Sequence, residues 1–193
     1  MDSAVRATIF AVYERYTQPA RRVVYFASWE ARLAETAYIE SVHLLKALMY
    51  DEDSRANTLF QLRERFPAFT SCPSRFATRE DVPQRETILA NESKRIVVLT
   101  AEEADRLGHS WIDTEHFVLG LLKEGGSVAA EYLARSGLTL NEARRVVKEN
   151  RPLQTGDDPP PLALPEPPAR SLLGNLIHKF HKWRLRRYQR ESE

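Results

Sequence analysis

Cysteine and glycine are scarce in this sequence. Its 193 residues include one cysteine, Cys72, and seven glycines. A single cysteine excludes an internal disulfide and any site with several thiolate ligands, so nothing argues for an oxidising compartment and we expect a cytoplasmic protein. The early apolar run ATIFAVY is too short to span a membrane and is soon interrupted by Glu14 and Arg15, which predicts a soluble protein.

The sequence also lacks the motifs of common enzymes. Gly120 and Gly125 have the spacing of a P-loop, but Gly126 and Ser127 stand where that loop needs its Lys-Ser/Thr pair. No GxSxG motif is present, and Cys72 has no histidine nearby in sequence. We therefore predict a protein that is not an enzyme and that uses no cofactor and no small-molecule substrate.

One stretch, GHSWIDTEH, concentrates the side chains that ligate metals. It holds His109, Asp113, Glu115 and His116 within eight residues. A zinc site on a helix typically uses two histidines one turn apart, as in HExxH, and neither histidine is followed by a second one four residues on. The spacing therefore predicts no metal site and favours a different explanation, the start of a helix.

In that explanation, Asp113 or Thr114 caps an apolar helix and Glu115 lies in its first turn. An exposed carboxylate there interacts favourably with free backbone N–H groups and the helix dipole, a contribution of about 0.3–1 kcal/mol. A carboxylate beside unpaired backbone donors also suits a ligand that carries both a guanidinium and an anion. Glu115 is accordingly a candidate ligand-binding residue.

Helical periodicity and an internal repeat dominate the first 150 residues. Apolar residues recur at helical spacing and strand-like alternation is scarce, so we predict an all-α fold. Shifting the chain against itself by 73 residues aligns two segments without gaps. Identical residues in the two segments are Arg22, Val24, Glu30, Ala31, Ile39, His43 and Leu48, which match Arg95, Val97, Glu103, Ala104, Ile112, His116 and Leu121. The pattern predicts a tandem duplication with up to four helices in each repeat.

Capping residues and composition set the predicted boundaries. Thr17 stands before a proline in the position that a first helical turn tolerates, and Thr139 with Glu142 has capping-box spacing. We place one domain at 1–150. It divides into repeat one at about 16–65, an irregular connector with several prolines at 66–85, and repeat two at about 86–150.

Beyond the domain, the composition changes abruptly. Residues 151–169 are rich in proline, which favours an extended spacer. Residues 170–193 carry a net charge of +5, whereas the rest of the chain carries −4, and their apolar residues share one face of a predicted basic amphipathic helix. The candidate contact residues of this tail are Lys179, Lys182, Trp183, Arg184, Arg186 and Arg187.

Two segments resemble the repeats of the Clp N-terminal domain (Clp repeat domain), which stands at the front of the Clp/Hsp100 unfoldases. They are YTQPARRVVYFASWEAR and SKRIVVLTAEEADRLGHSWIDTEHFVLGLLKEGGSVAAEYLARSGLTLNEARRVV. The resemblance covers roughly residues 16–150 and implies an all-helical, pseudo-twofold pair of four-helix repeats. It also implies a free-standing recognition domain, because a proline-rich spacer and a short helix stand where the ATPase modules would be.

The resemblance implies partners and a ligand as well. In the family this domain binds adaptors and substrates, and in some members each repeat binds phosphoarginine through the glutamate of a Thr-Glu-His motif. Thr114 and Glu115 keep that motif in repeat two, whereas Ser41 and Val42 replace it in repeat one. Because valine cannot pair with a guanidinium, at most one site for phosphoarginine or a peptide is implied. The implied function is a non-catalytic, adaptor-like module whose partners are Clp ATPase or protease subunits, adaptors or substrate proteins.

A second class of function rests on the tail. A basic amphipathic helix with Trp183 fits an anionic lipid surface, and the arginines from Arg184 onward fit RNA phosphates. A solvated helix, or one docked on its own body, explains the same pattern, because amphipathicity does not select a partner. The sequence therefore leaves open a scaffold that the tail tethers to an anionic membrane or to nucleic acid.

Overall fold

The computed structural model describes residues 9, 11–50, 54–70 and 86–150. Within these ranges the chain is mostly helical, which confirms the all-α prediction. The predicted linker and the tail helix lie outside the described residues, as do the tail contact residues from Lys179 to Arg187. In the part of the chain that is described, no helix is both long enough and apolar enough to cross a membrane.

The helices follow the predicted repeat. A helical segment at residues 11–14 is followed by α1 (Gln18–Leu33), β1 (Tyr38–Ile39), α2 (Ser41–Leu48), α3 (Arg55–Phe60), α4 (Leu62–Arg65) and α5 (Pro67–Thr70). Repeat two contains β2 (Ile88–Leu89), α6 (Asn91–Arg106), α7 (Thr114–Glu124), α8 (Val128–Arg135) and α9 (Leu140–Glu149). The first residues of α1, α2, α3 and α5 each lie 73 positions before those of α6, α7, α8 and α9. The duplication seen in the sequence is therefore a duplication of helices.

Capping side chains fix the starts of two of these helices. Thr17 precedes α1, and its hydroxyl oxygen accepts a hydrogen bond from the backbone N–H of Ala20 at 3.3 Å. Thr139 precedes α9 and accepts from the N–H of Glu142 at 3.3 Å. Each bond satisfies a donor that the first turn of a helix leaves without a backbone partner. Both helix starts predicted from the sequence are confirmed.

The end of repeat one differs from the sequence expectation. The sequence predicts an irregular connector from residue 66, yet α5 begins at Pro67, the position equivalent to the start of α9. Aromatic packing explains this helical turn, because the ring of Phe69 lies 5.8 Å from that of Phe66 and 5.3 Å from that of Tyr132 on α8. The remainder of the predicted connector, 71–85, lies outside the described residues.

Two short parallel backbone pairings join the repeats. Ile39 pairs with Leu89, and Tyr16 pairs with Ile112. Tyr16 and Ile39 lie 73 positions before Leu89 and Ile112. The two pairings are therefore the same contact, repeated by the pseudo-twofold symmetry. In both, the residue after the strand donates its N–H to the isoleucine carbonyl at 2.9 Å. The residues just before the first long helix of each repeat therefore pair with the turn between the first and second helices of the other repeat.

A continuous hydrophobic core runs through both repeats. Tyr16 shows how the halves share it, because its ring lies 5.3 Å from that of Tyr13 and 5.2 Å from that of Phe117 on α7. Burial raises the pKa of Tyr16 far above its ordinary value. The start of repeat one is thus packed against the helix that carries the candidate site.

Candidate recognition site at the start of α7

The candidate residues Thr114 and Glu115 occupy the first two positions of α7. Asp113 is the N-cap, and its Oδ1 accepts from the N–H of Thr114 at 2.7 Å and from the hydroxyl of Thr17 at 2.9 Å. His116 completes a capping box, because its Nδ1 accepts from the N–H of Asp113 at 2.9 Å. The predicted helix start is confirmed, and Asp113 is the residue that caps it.

The hydroxyl of Thr114 belongs to a contact between repeats. It accepts a hydrogen bond from the N–H of Ala56, in the first turn of α3, at 3.0 Å. The pseudo-twofold repeats this contact, because the hydroxyl of Ser41 accepts from the N–H of Ala129 at 3.4 Å. The third helix of each repeat is therefore docked by its first turn on the second helix of the other repeat.

Glu115 is buried, whereas the sequence suggested an exposed carboxylate. Its side chain is 0% exposed, and its Oε1 accepts from Nε of Arg55 at 2.8 Å. The Arg55 guanidinium also donates from Nη2 to the carbonyl oxygen of Asn150 at 2.7 Å. Burial raises the pKa of Glu115, and the Arg55 guanidinium opposes that shift without cancelling it. The carboxylate of Glu115 is therefore already paired with an arginine of the same chain, Arg55.

Two buried histidines form a hydrogen-bonded pair beside this carboxylate. Nδ1 of His109 and Nε2 of His116 are 2.8 Å apart. Since Nδ1 of His116 already accepts from a backbone N–H, its Nε2 carries the proton and donates to His109. Burial lowers the pKa of His116 to about 4, which keeps the ring neutral at physiological pH. His116 is therefore a buried, neutral histidine whose two ring nitrogens both take part in hydrogen bonds.

The same histidines and Glu115 are the one group of potential metal ligands found among the described residues. The ligand atoms of His109, Glu115 and His116 lie within 4.8 Å of one another. Tetrahedral zinc at about 2.0–2.1 Å from each nitrogen would hold two ring nitrogens roughly 3.3 Å apart. Their 2.8 Å separation and the engaged Nδ1 of His116 match a hydrogen-bonded pair instead.

The start of α2 in repeat one has the same type of cap as the start of α7, but it lacks the ion pair. Glu40 replaces Asp113, and Nδ1 of His43 accepts from its N–H at 3.0 Å. Val42 stands where Glu115 does, and Val128 stands where Arg55 does. The contact of α3 with the start of α7 therefore contains an ion pair at the positions where the equivalent contact of α8 with the start of α2 has two valines.

Sequence reasoning missed Arg55. A local pattern could not reveal it, because Arg55 and Glu115 are 60 positions apart. The comparison of the repeats contains the signal. Glu115 is equivalent to Val42, and Arg55 is equivalent to Val128, so an acid and a base stand at two positions whose equivalents are both valine.

A buried ion pair positions α9, whose C-terminal end holds Arg55. Arg144 donates from Nε and Nη2 to the two carboxylate oxygens of Glu103, each at 2.7 Å, and Nζ of Lys123 lies 3.0 Å from the same carboxylate. Burial alone would raise the pKa of Glu103, but the hydrogen bonds from Arg144 and Lys123 outweigh it and lower the pKa. Asn150, the C-cap of α9, is thereby held against Arg55.

The sequence of this domain is similar to those of known proteins. Residues 89–173 match the family model of the Clp repeat (R) N-terminal domain. The chaperone protein ClpB of Oceanobacillus iheyensis is 31% identical over 137 residues, which cover 70% of this chain and 17% of that protein. The negative regulator of genetic competence ClpC/MecB of Bacillus subtilis matches with the same identity and coverage. The chain thus spans about a sixth of the length of these relatives.

Solved structures agree on the fold. The N-terminal domain of Hsp104 from Candida albicans superposes with a TM-score of 0.54 at 13% identity, covering 72% of this chain and 93% of that one. The N-terminal domain of the chaperone ClpD from Arabidopsis thaliana gives a TM-score of 0.50 at 20% identity, covering 72% and 95%. Residues 89–173 therefore match the family of Clp repeat N-terminal domains, as the resemblance in the sequence implied, and the solved structures show the same fold.

Proposed function

We propose that this protein is a non-catalytic recognition module of the Clp chaperone–protease system, acting in the cytoplasm. Its partners are Clp ATPase or protease subunits, adaptors or substrate proteins. The observation that carries the proposal is the match of repeat two to the Clp repeat N-terminal domain, in a body that keeps both repeats. This match supports a role in binding other proteins.

The chemistry of the α7 start supports binding over catalysis. Asp113 is committed to capping, and His116 uses both ring nitrogens in hydrogen bonds. Glu115 is buried against Arg55. A general base needs a lone pair that faces a substrate, and these groups are instead turned toward the protein itself. They hold the repeats together.

Exposed apolar side chains mark a surface suited to a protein partner. The large hydrophobic side chains that are exposed in the described part of the chain are Tyr38, Val128 and Tyr132. Val128 begins α8, whose first turn is docked on Ser41 at the start of α2, and Tyr38 lies just before α2. Aromatic and aliphatic side chains at such positions are typical of interface centres.

Thr114 and Glu115 are the proposed ligand contact of repeat two. Both side chains are now engaged, Thr114 by α3 and Glu115 by Arg55. A ligand guanidinium that reaches Glu115 must therefore replace an internal one.

Affinity capture from a native lysate tests the proposal. The baits are the full-length protein, a Tyr38→Ala/Val128→Ala variant, and a tail variant with Lys179→Glu, Lys182→Glu and Arg186→Glu. We expect the wild type and the tail variant to enrich Clp ATPase, protease or adaptor subunits, and the surface variant to enrich less. Capture of membrane or ribosomal material alone, and only with an intact tail, would instead favour the tethered scaffold.

A further inference from the structure

We propose that the C-terminal tail, residues 170–193, docks on the surface of its own chain at the start of α2. This surface, called the α2 surface below, consists of the exposed side chains of Tyr38 and Val128 and the acidic residues around them. Docking of the tail is a property of one molecule and is independent of the proposed function. It is tested on the purified protein, whatever the binding of a Clp component shows.

Two exposed apolar side chains form the centre of the α2 surface. Tyr38 is 52% exposed and Val128 is 54% exposed. The hydroxyl of Ser41 accepts a hydrogen bond from the N–H of Ala129 at 3.4 Å. Tyr38 precedes Ser41 by three residues and Val128 directly precedes Ala129, so the two side chains flank this contact. Covering them removes apolar surface from water, which is favourable.

Three segments of the chain meet at the α2 surface, and together they contain six acidic residues and no basic one. The pairing of β1 with β2 joins residues 35–42 to residues 86–93, and the contact of Ser41 with Ala129 adds residues 124–131. The six acids are Glu35, Glu40, Glu86, Glu92, Glu124 and Glu131. All of them are exposed except Glu92 and Glu124, which are half-buried.

Neighbouring bases leave the α2 surface negative. Glu124 pairs with Arg95 at 2.7 Å, and Glu131 pairs with Arg135. Lys94 follows the second segment directly and binds the side chain of Asn91 at 3.0 Å. Six acids therefore stand against three bases. A surface of this charge attracts a basic segment and repels phosphates, so it suits a basic peptide and not a nucleic acid.

The sequence of the tail has the complementary pattern. Its net charge is +5, and its apolar residues share one face of the predicted amphipathic helix. That face consists of Leu172, Leu173, Leu176, Ile177, Phe180 and Trp183, with Lys179, Lys182 and Arg186 opposite. Such a helix can place an apolar side chain over Tyr38 and Val128 while its bases lie near the acids around them.

The spacer is long enough for this contact. Residues 151–169, if extended as polyproline, span about 60 Å, whereas a body of this size is roughly 40 Å across. The tail is thereby present at an effective concentration of about 1 mM. A contact of this small size has a Kd of about the same magnitude, so we expect the docked state to be populated near one half. Docking then raises the Kd of another partner for the α2 surface by no more than about twofold.

Paramagnetic relaxation in the full-length protein tests the docking. A nitroxide is attached at Gln189→Cys, on the polar side of the predicted tail helix, after Cys72→Ser removes the native thiol. At low salt the amide signals of Tyr38 and Val128 should lose about twofold or more of their intensity, because the docked population brings the label close to them. High salt should restore the signals, since it screens the attraction of tail and surface.

Two comparisons locate the docking on the α2 surface. Trp111 and Arg55 are the equivalents of Tyr38 and Val128 in repeat two, and their amide signals should keep their intensity. Glu86→Lys/Glu131→Lys replaces two exposed acids of the α2 surface and should restore the lost signals. Neither acid belongs to the core, so the variant should remain folded.

A matched variant separates position from net charge. Glu142→Lys/Glu149→Lys makes the same change in charge on α9, outside the α2 surface, and should leave the loss of intensity in place. The proposal is overturned if no signal is lost, if the equivalent positions of repeat two lose as much, or if the loss persists in Glu86→Lys/Glu131→Lys. A loss that grows with protein concentration would assign the tail to a second copy and would also overturn docking within one chain.

Discussion

Gly120 and Thr100 are in such close contact that the two helices leave no room for a side chain on the glycine. A Cβ added to Gly120 would lie 2.3 Å from Thr100 Oγ1 and 2.9 Å from the carbonyl oxygen of Ile96. The equivalent positions in repeat one are Ala47 and Ala27, both buried. The first two long helices of each repeat therefore approach closely at a pair of small residues, and the pair differs between the repeats.

This contact predicts a coupled pair of mutations. Gly120→Ala should lower the free energy of unfolding by about 1–3 kcal/mol, because α6 and α7 must separate to admit the methyl group. Adding Thr100→Ala should restore part of that loss, since the pair then matches Ala27 and Ala47. Urea unfolding of both single variants and the double variant measures the coupling energy. Additive losses would contradict the account.

The hydroxyl of Tyr16 predicts a stabilising substitution. It is buried and has no hydrogen-bond partner in the described structure, while its ring packs on Tyr13 and Phe117. Tyr16→Phe keeps the ring and removes the unpaired group, so we expect a gain of up to about 1–2 kcal/mol in the free energy of unfolding. Calorimetry provides the measurement. A clear loss of stability would show that the hydroxyl has a partner.

The ion pair between Glu103 and Arg144 should be important for stability. Glu103→Gln leaves Arg144 without its carboxylate, and we expect a loss of roughly 2–4 kcal/mol in urea unfolding. Glu131→Gln is the matched control, because its pair with Arg135 is solvent-exposed at both ends and exposed pairs contribute little. Equal effects of the two substitutions would contradict the buried role of Glu103.

His116 predicts a loss of stability in mild acid. Burial lowers the pKa of His116 to about 4, so between pH 6.5 and 4 the unfolded chain binds a proton that the folded chain does not. Stability then falls as the pH falls, by about 2 kcal/mol between pH 7 and pH 5 from this group. Burial likewise lowers the pKa of His43, which adds to the effect.

His116→Asn separates this contribution from the others. The asparagine Oδ1 can take the place of Nδ1 as acceptor for Asp113, but it does not titrate. Burial raises the pKa of Glu115, which acts in the opposite direction, and that effect is common to both proteins. Urea unfolding at pH 7 and pH 5 should therefore show a smaller pH dependence in the variant. An unchanged pH dependence would contradict the assignment.

The helix starts were predictable because caps act locally. Thr17, Asp113 and Thr139 each hydrogen-bond to backbone within three residues, so a short window of sequence contains the cause. The repeat likewise emerged from identities at a fixed shift. The turn geometry is kept even where the residue changes, since Glu35 has φ 54° at the position where Gly108 has φ 69°.

The pairing of β1 with β2 and the burial of Glu115 were not predictable in this way. Strands of two residues are too short for any periodicity to register. Glu115 has the sequence context of an exposed first-turn acid, and only the docking of α3 from the other repeat encloses it. Both features depend on contacts between the repeats. The relative orientation of the two repeats could not be predicted from one sequence.

The most direct test of the recognition proposal is the affinity of the purified full-length protein for the Clp ATPase subunit of the same organism. Biolayer interferometry would compare the wild type with the tail variant Lys179→Glu/Lys182→Glu/Arg186→Glu. The proposal places the interface on the repeats, so we predict that both bind, with Kd values within about twofold of each other. Absence of binding by the wild type, or binding that disappears when the tail charges are reversed, would contradict the account.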